Sequence, residues 1–360
     1  MTKMNPRTRL LLDSSKEVFL DCCLENGAIV AANSDKEYYP RCVQDYRYVW
    51  PRDAAFICVA ADMIGISNIQ EPFFDWVWNR AEGFRKSKLL FQNYYVNGPK
   101  RWLGFQPDNN GSVLWAIHEH YKNDLKKAMK YKELITTLAD GICEVWNGST
   151  FTNITQDLWE EHFTCEEAED THTYSLAACA HGLRLADTII PNKKWLKTSV
   201  EMKKRIMDSY SAENGYFLRR YGRISDHTPD ASVLGLVEPF KIIKPDDERM
   251  VKTIRNIEDN LVRNKLVYRC AYDDYDGFRK EGVDFRRGAG SWPLLNFWIS
   301  IYYARLGDKG KALEYYNAVL ERADKYIPEQ LFDNNIQKSV SPLCWSHAMF
   351  VLASKELGLC

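Results

Sequence analysis

The stretch YRYVWPRDAAF, residues 46–56, sets three large aromatics beside an Arg–Asp pair and then runs into small apolar residues. Just beyond it, Phe56, Val59, Ala60 and Met63 fall at three-and-four spacing, so residues 52–65 read as a helix with an apolar face. Trp50, Arg52 and Asp53 then stand where that helix begins. An Asp at such a place is favoured by the helix dipole and by the free backbone N–H groups. Two uses fit the pattern: a helix cap with an arginine partner, or a polar floor beneath a ligand.

The same periodicity recurs along the chain. Residues 9–25, 111–122, 124–146, 172–189, 194–210, 246–264, 292–306, 311–325 and 342–357 also read as helices. Strand signals are sparse. The connections are unequal. Gly307-Asp308-Lys309-Gly310 joins two helices directly, whereas 39–51, 91–110, 147–171, 213–245, 268–291 and 326–341 are long and rich in Trp, Asn, Asp, Gly and Pro. Long connections inside a compact domain usually carry function. Here they recur about once per pair of helices. No linker or composition break divides the 360 residues. The expectation is one all-α domain over residues 1–360, with about a dozen helices and the long loops gathered at one end. The piece FWISIYYARLGDKGKALEYYNAVLERA (297–323) has the outline of a tetratricopeptide hairpin, but no fixed-period repeat follows it.

A formal net charge of −1 gives no electrostatic footprint for nucleic acid or an anionic membrane. Eleven Trp and twenty Tyr supply many flat, amphipathic surfaces, suited to helix packing or to stacking on sugar rings. The ten cysteines form no C-x-x-C pair, so a structural zinc site is not expected. No apolar run suits a signal peptide or a membrane span, which points to a cytoplasmic protein. The N-x-S/T matches at Asn110, Asn147 and Asn153 then count as chance.

Two acidic stretches carry candidate chemistry: Asp157-Leu158-Trp159-Glu160-Glu161 and Tyr326-Ile327-Pro328-Glu329-Gln330. Each places a Glu near an aromatic, at the edge of a helical segment, within a long loop region. Glycoside hydrolysis needs two such carboxyls. One stays protonated to protonate the leaving oxygen, and the other stays ionised to activate water or to attack. Arg52, Asp53, Gln106 and Asp108 could clamp sugar hydroxyls, and Trp50, Trp102 and Trp159 could stack on ring faces.

In order along the chain stand ENGAIVAANSD, DYRYVWPRDAAF, WLGFQPDNNGSVLWAI, DLWEE, YRCAYDDY, IPEQ and SPLCWSHAMF. Together they resemble glycoside hydrolase family 15, the glucoamylase family, in its archaeal and bacterial branch, from about residue 16 to 356. The resemblance implies an (α/α)6 toroid of six outer and six inner helices, with the site at the open end of the inner ring. It implies Glu160 as general acid and Glu329 as general base. Arg52 and Asp53 would hold the non-reducing sugar, and Gln106 and Asp108 would lie near that subsite. Glu161 would line the leaving-sugar subsite, Arg269 would contact sugar near the cleavage point, and Trp50, Trp102, Trp159 and Trp345 would supply pocket aromatics. On a helix, Glu160 and Glu161 would point about 100° apart, so only one could face the scissile bond. The implied reaction is single displacement with inversion, without a cofactor or metal.

Three features depart from the family pattern. The branch usually carries an N-terminal β-sandwich domain, and none is expected within this chain. An acidic insertion, Glu166-Glu167-Ala168-Glu169-Asp170, follows the acid motif and reads as a solvated loop tip. The segment after Arg269-Cys270 is charged, FRKEGVDFRRGAG, where Arg286 and Arg287 are candidates for contact with an extended or charged glycan. The resulting expectation is an exo-acting α-glucosidase on maltodextrin-like substrates, with an oligosaccharide as partner. Trehalose or α-1,6-glucan hydrolysis remains open, as does a non-catalytic sugar-sensing domain like that of phosphorylase kinase regulatory subunits. A helical scaffold would leave the spaced Glu, Trp and Arg set unexplained.

Overall fold

Helix α2 (Pro51–Met63) opens on a proline, whose missing N–H costs nothing in a first helical turn. The computed structural model describes residues 5–277 and 288–360. In it, Pro51 to Ala61 are all buried, so α2 has no solvent side along most of its length. A helix apolar all round belongs inside a protein. Four others share this burial: α5 (Asp108–Tyr121), α7 (Thr173–Ile189), α10 (Pro293–Leu306) and α12 (Cys344–Glu356). With the short 3-10 helix Ala231–Leu236 they close a ring in which α2 packs on α5, α5 on α7, α7 on the 3-10 helix, that on α10, α10 on α12, and α12 back on α2.

Around this ring lie α1 (Pro6–Cys22), α3 (Gln70–Asn79), α6 (Lys132–Glu144), α8 (Lys193–Asp208), α9 (Glu248–Leu261) and α11 (Lys309–Leu320). A single turn, α4 (Phe84–Ser87), adjoins α3. The outer helices are amphipathic. In α9, Met250, Thr253, Ile254, Ile257 and Leu261 are buried while the charged residues between them face out. The architecture is the (α/α)6 toroid. At its centre the ring of Phe56 lies 4.9 Å from Trp115, 5.2 Å from Trp345 and 6.2 Å from Trp298, which ties α2 to α5, α12 and α10. Truncating such an aromatic costs about 3–5 kcal/mol. The helices α5 and α7 touch through glycine: a Cβ on Gly111 would stand 2.4 Å from the Ala178 carbonyl oxygen, and one on Gly182 2.6 Å from that of Gly111.

The connections differ by direction. Segments leading into inner helices are long: 23–50, 88–107, 145–172, 209–230, 262–292 and 321–343. Some return connections are very short, as at 190–192 and 307–308. All inner helices therefore present their N-terminal ends to the same cluster of long loops. Among the elements not expected from periodicity are α3, the strands Phe91–Tyr94 and Lys100–Phe105, and the 3-10 helix inside the long 209–247 stretch. The expected helix 124–146 divides into a 3-10 helix, Leu125–Tyr131, and α6.

Candidate active site

The long loops and the inner-helix N-termini enclose a cavity of about 220 Å³. Its lining includes Trp50, Arg52, Asp53, Trp102, Trp159, Glu160, Glu161, Arg269, Glu329 and Trp345. Positions far apart in sequence meet here because each lies at the start of an inner helix or in a long loop that leads into one.

The floor is built around Arg52, which is 3% exposed. Its backbone N–H donates to Asn109 Oδ1 at 2.8 Å, satisfying one open donor of α2 with a side chain from α5. Its guanidinium lies 3.4 Å from Asp53 Oδ2, 3.3 Å from Asp108 Oδ2 and 3.5 Å from Glu160 Oε1, and 5.2 Å above the Trp345 ring. Burial works against the arginine's charge, but the three carboxylates outweigh it and hold its pKa above the ordinary value. The acids are affected in turn. Burial raises Asp53 to about 6 despite Arg52, and it also raises Asp108.

Two expected sugar ligands stand elsewhere. Gln106 and Asp108 are fully buried behind Arg52 and do not line the cavity. Gln106 accepts from Arg52 Nη1 at 3.3 Å and donates to the Asp157 carbonyl at 2.7 Å, so it links the floor to the turn that carries Glu160. Asp108 accepts from Arg52 and from Ser175 Oγ at 3.2 Å. The start of α5 sits one layer below the sugar-facing surface, which is why these side chains brace Arg52.

Glu160 lies on a tight turn and not on a helix. Its N–H donates to the Asp157 carbonyl at 3.2 Å, and its own φ is 67°, in the left-handed region. The Asp157 carboxylate accepts the N–H groups of Glu161 and His162 at 2.9 and 3.0 Å and so replaces a helical start with a closed loop. The turn sends the two glutamates to different partners. Glu160 accepts from Trp50 Nε1 at 2.7 Å and from Gln92 Nε2. Glu161 accepts from Arg269 Nη2 at 2.6 Å. Burial lifts the Glu160 carboxyl to about 7; Arg52 and the N–H donors oppose it, and Asp53 adds to it.

Glu329 enters from the loop before α12 and is 3% exposed. Its N–H donates to Val340 O at 2.8 Å, and Leu331 N–H to Ser291 O at 2.8 Å, so two loops fix it. Its carboxyl hydrogen bonds with the Tyr46 hydroxyl, which lies 2.6 Å from the Tyr275 hydroxyl. Gly277, with φ 61°, passes close by: a Cβ there would stand 3.4 Å from Glu329 Oε2. Burial raises Glu329 to about 7 against the pull of Tyr46 and Arg269.

Arg269 is 2% exposed and pairs with Asp273 at 2.7 Å as well as with Glu161. Its guanidinium lies 4.9–5.4 Å from the rings of Trp292, Tyr275 and Trp159. Trp159 lines the cavity while its N–H is taken by Asp230 at 3.1 Å. Tyr46, Tyr275, Gln92 and Trp292 were not anticipated. Tyr46 heads the decisive 46–56 stretch and Tyr275 closes the YRCAYDDY motif, so both had a usable signal; Gln92 and Trp292 had none. The acidic insertion is mixed: Glu166, Glu167 and Glu169 are exposed, but Asp170 is buried and 3.3 Å from Arg220. None of the four ranks among the main causes of the Glu160 shift. Arg286 and Arg287 lie outside the described residues. Among the described residues, no cluster of His, Cys, Asp and Glu is placed to hold a metal, and no helix is long and apolar enough to cross a membrane.

Comparison with known proteins agrees with this architecture. Residues 63–327 match the family Glycosyl hydrolases family 15. An uncharacterized glycosyl hydrolase of Methanocaldococcus jannaschii is 33% identical over 351 residues, which is 92% of this chain and 53% of that protein. The chain thus spans about half of that relative's length. An isomaltose glucohydrolase of Kribbella flavida is 24% identical over 353 residues, 87% of this chain and 85% of that one. Among solved structures, a wild-type glycosidase superposes with a TM-score of 0.82 at 22% identity, over 98% of this chain and 97% of that one. A bacterial glucoamylase complexed with acarbose gives 0.75 at 21% identity, over 98% and 56%. At these identities the structural likeness speaks to the fold. The chain belongs to glycoside hydrolase family 15.

Proposed function

We propose that this family 15 protein is an exo-acting, inverting α-glucosidase that releases β-glucose from the non-reducing ends of short α-glucans such as maltodextrins. The observation that carries the reading is the pair Glu160, partly buried, and Glu329, buried, on different loops of one small cavity above a floor of Arg52 and Asp53. A cavity of about 220 Å³ falls below the ~300–1,000 Å³ typical of clefts for drug-sized ligands, and suits a chain end better than a chain passing through.

The partners of the two carboxyls support their roles. Glu160, as general acid, becomes an anion when it gives its proton to the glycosidic oxygen. Trp50 and Gln92 already aim N–H donors at its two oxygens, and Arg52 stands 3.5 Å away. Glu329, as general base, becomes neutral when it takes a proton from water. Its Tyr46 neighbour carries a hydroxyl, which can turn from donor to acceptor. With both carboxyls lifted to about 7, one protonated and one ionised is an accessible state near neutral pH. Inversion requires the carboxyls to stand about 6.5–9.5 Å apart, leaving room for the attacking water.

The similarity in length and sequence to the Kribbella flavida isomaltose glucohydrolase favours a second reading of the linkage, α-1,6 in a disaccharide. Proton NMR of the protein with maltotriose, isomaltose and trehalose tests both. β-Glucose as first product supports inversion, and the sugar consumed fastest names the linkage. α-Glucose as first product overturns the mechanism.

A further inference from the structure

Among the described residues three arginines line the cavity, and they are not equivalent. Arg52 and Arg269 are buried and matched by carboxylates. Arg101 is half-buried at the mouth, and among the described residues its guanidinium has no hydrogen-bond or ion-pair partner. It is nevertheless held in place. Its guanidinium carbon lies 4.1 Å from the Tyr48 ring centre and 4.7 Å from that of Trp102. Tyr48 is itself fixed, with its hydroxyl 3.2 Å from Asp45 Oδ2 and its ring edge-on to Tyr95 at 5.6 Å. Arg101 sits on strand β2 (Lys100–Phe105), whose partner β1 (Phe91–Tyr94) hydrogen bonds to Val49, just before α2. A guanidinium keeps its five donors in a rigid plane, and stacking between aromatic faces orients them before a ligand arrives.

Resting on the glucosidase reading above, we infer that Arg101 is the specificity-determining residue on the leaving-group side, donating hydrogen bonds to the hydroxyls of a second sugar ring. Floor and catalytic carboxyls engage the sugar being released. Arg101, on the hairpin that also delivers Gln92 to Glu160, reads what that sugar is attached to. The contact needs a leaving group that carries hydroxyls. An aryl leaving group offers none.

The test compares Arg101→Leu and Arg101→Lys with the unmodified protein on two substrates. One is whichever of maltose, isomaltose and trehalose is cleaved fastest; the other is 4-nitrophenyl α-glucoside. The Leu variant should lose about ten-fold or more in kcat/KM on the disaccharide, mostly through KM, the size of one charged hydrogen bond. On the aryl glucoside it should change by less than about two-fold, and Lys should recover part of the disaccharide loss. Equal losses on both substrates, or no loss on the disaccharide, would overturn the assignment. Failure of the glucosidase reading itself looks different: the unmodified protein then cleaves neither substrate, and this inference falls with it.

Discussion

Glu160 and Glu329 reach the same apparent proton affinity by different constructions. Glu160 rides a strained turn and is met by groups that can only offer N–H: an indole, an arginine and the amide end of Gln92. Glu329 rides a loop pinned on both sides and is met by the hydroxyl of Tyr46, backed by that of Tyr275. Burial is the largest influence on each and lifts both to about 7. Under the proposed function, burial sets the level while the partners set the direction of proton flow. Fixed N–H donors await an anion, and a hydroxyl accommodates either state.

The largest effect should come from removing either carboxyl. Glu160→Gln and Glu329→Gln should each lower kcat on a disaccharide by about 10²–10⁴, the usual range for general acid or base catalysis. Retention of full turnover by either would remove that residue from the mechanism. Next comes the floor shared by both sides. Asp53→Ala should lower kcat/KM by about 10–100-fold, the size of the charged hydrogen bond to substrate that the proposed function gives it. Steady-state kinetics that leave both constants unchanged would sever the floor from substrate binding.

Stability gives a third, smaller contrast. A carboxyl raised to about 7 in the folded state, against 4.5 as its ordinary value, holds its proton where the unfolded chain has released it. The contribution of this carboxyl to folding stability is therefore full below about pH 4.5 and is lost as pH rises through 7. Glu329→Gln cannot ionise, so it should be more stable than the parent above pH 7, by about 1–3 kcal/mol, with the gap closing below pH 4.5. Thermal unfolding at the two pH values reads this directly. The smallest effect should be Tyr46→Phe. Losing that hydrogen bond removes an influence that lowers the Glu329 pKa, so the acid limb of the kcat/KM profile should move to higher pH. An unmoved limb would mean that Tyr46 does not govern the base.

The ring of helices was largely legible: outer helices such as α9 carry a clear apolar face, and the inner ones read as long runs rich in apolar residues between loop-forming segments. The exceptions are instructive. Helix α3, QEPFFDWVWN, is short and crowded with aromatics, and the 3-10 helix Ala231–Leu236 spans too few residues for a period to show. At the site, residue types and order pointed to Glu160, Glu329, Arg52 and Asp53, which the fold brings together. What sequence could not convey was depth. Gln106 and Asp108 sit a layer below the surface that Arg52 shows to the cavity. Nor could it show that Asp157 would capture two backbone N–H groups and make a turn of an expected helix edge. Gln92 and Arg101 acquire meaning only once the β1–β2 hairpin lies against α2's approach.

The division of labour between the two glutamates is tested most directly with α-glucosyl fluoride, whose leaving group needs no protonation. Glu160→Gln should recover most of the parental rate on this substrate, while Glu329→Gln should stay inactive. Equal recovery, or recovery by Glu329→Gln alone, would contradict the assignment of acid and base.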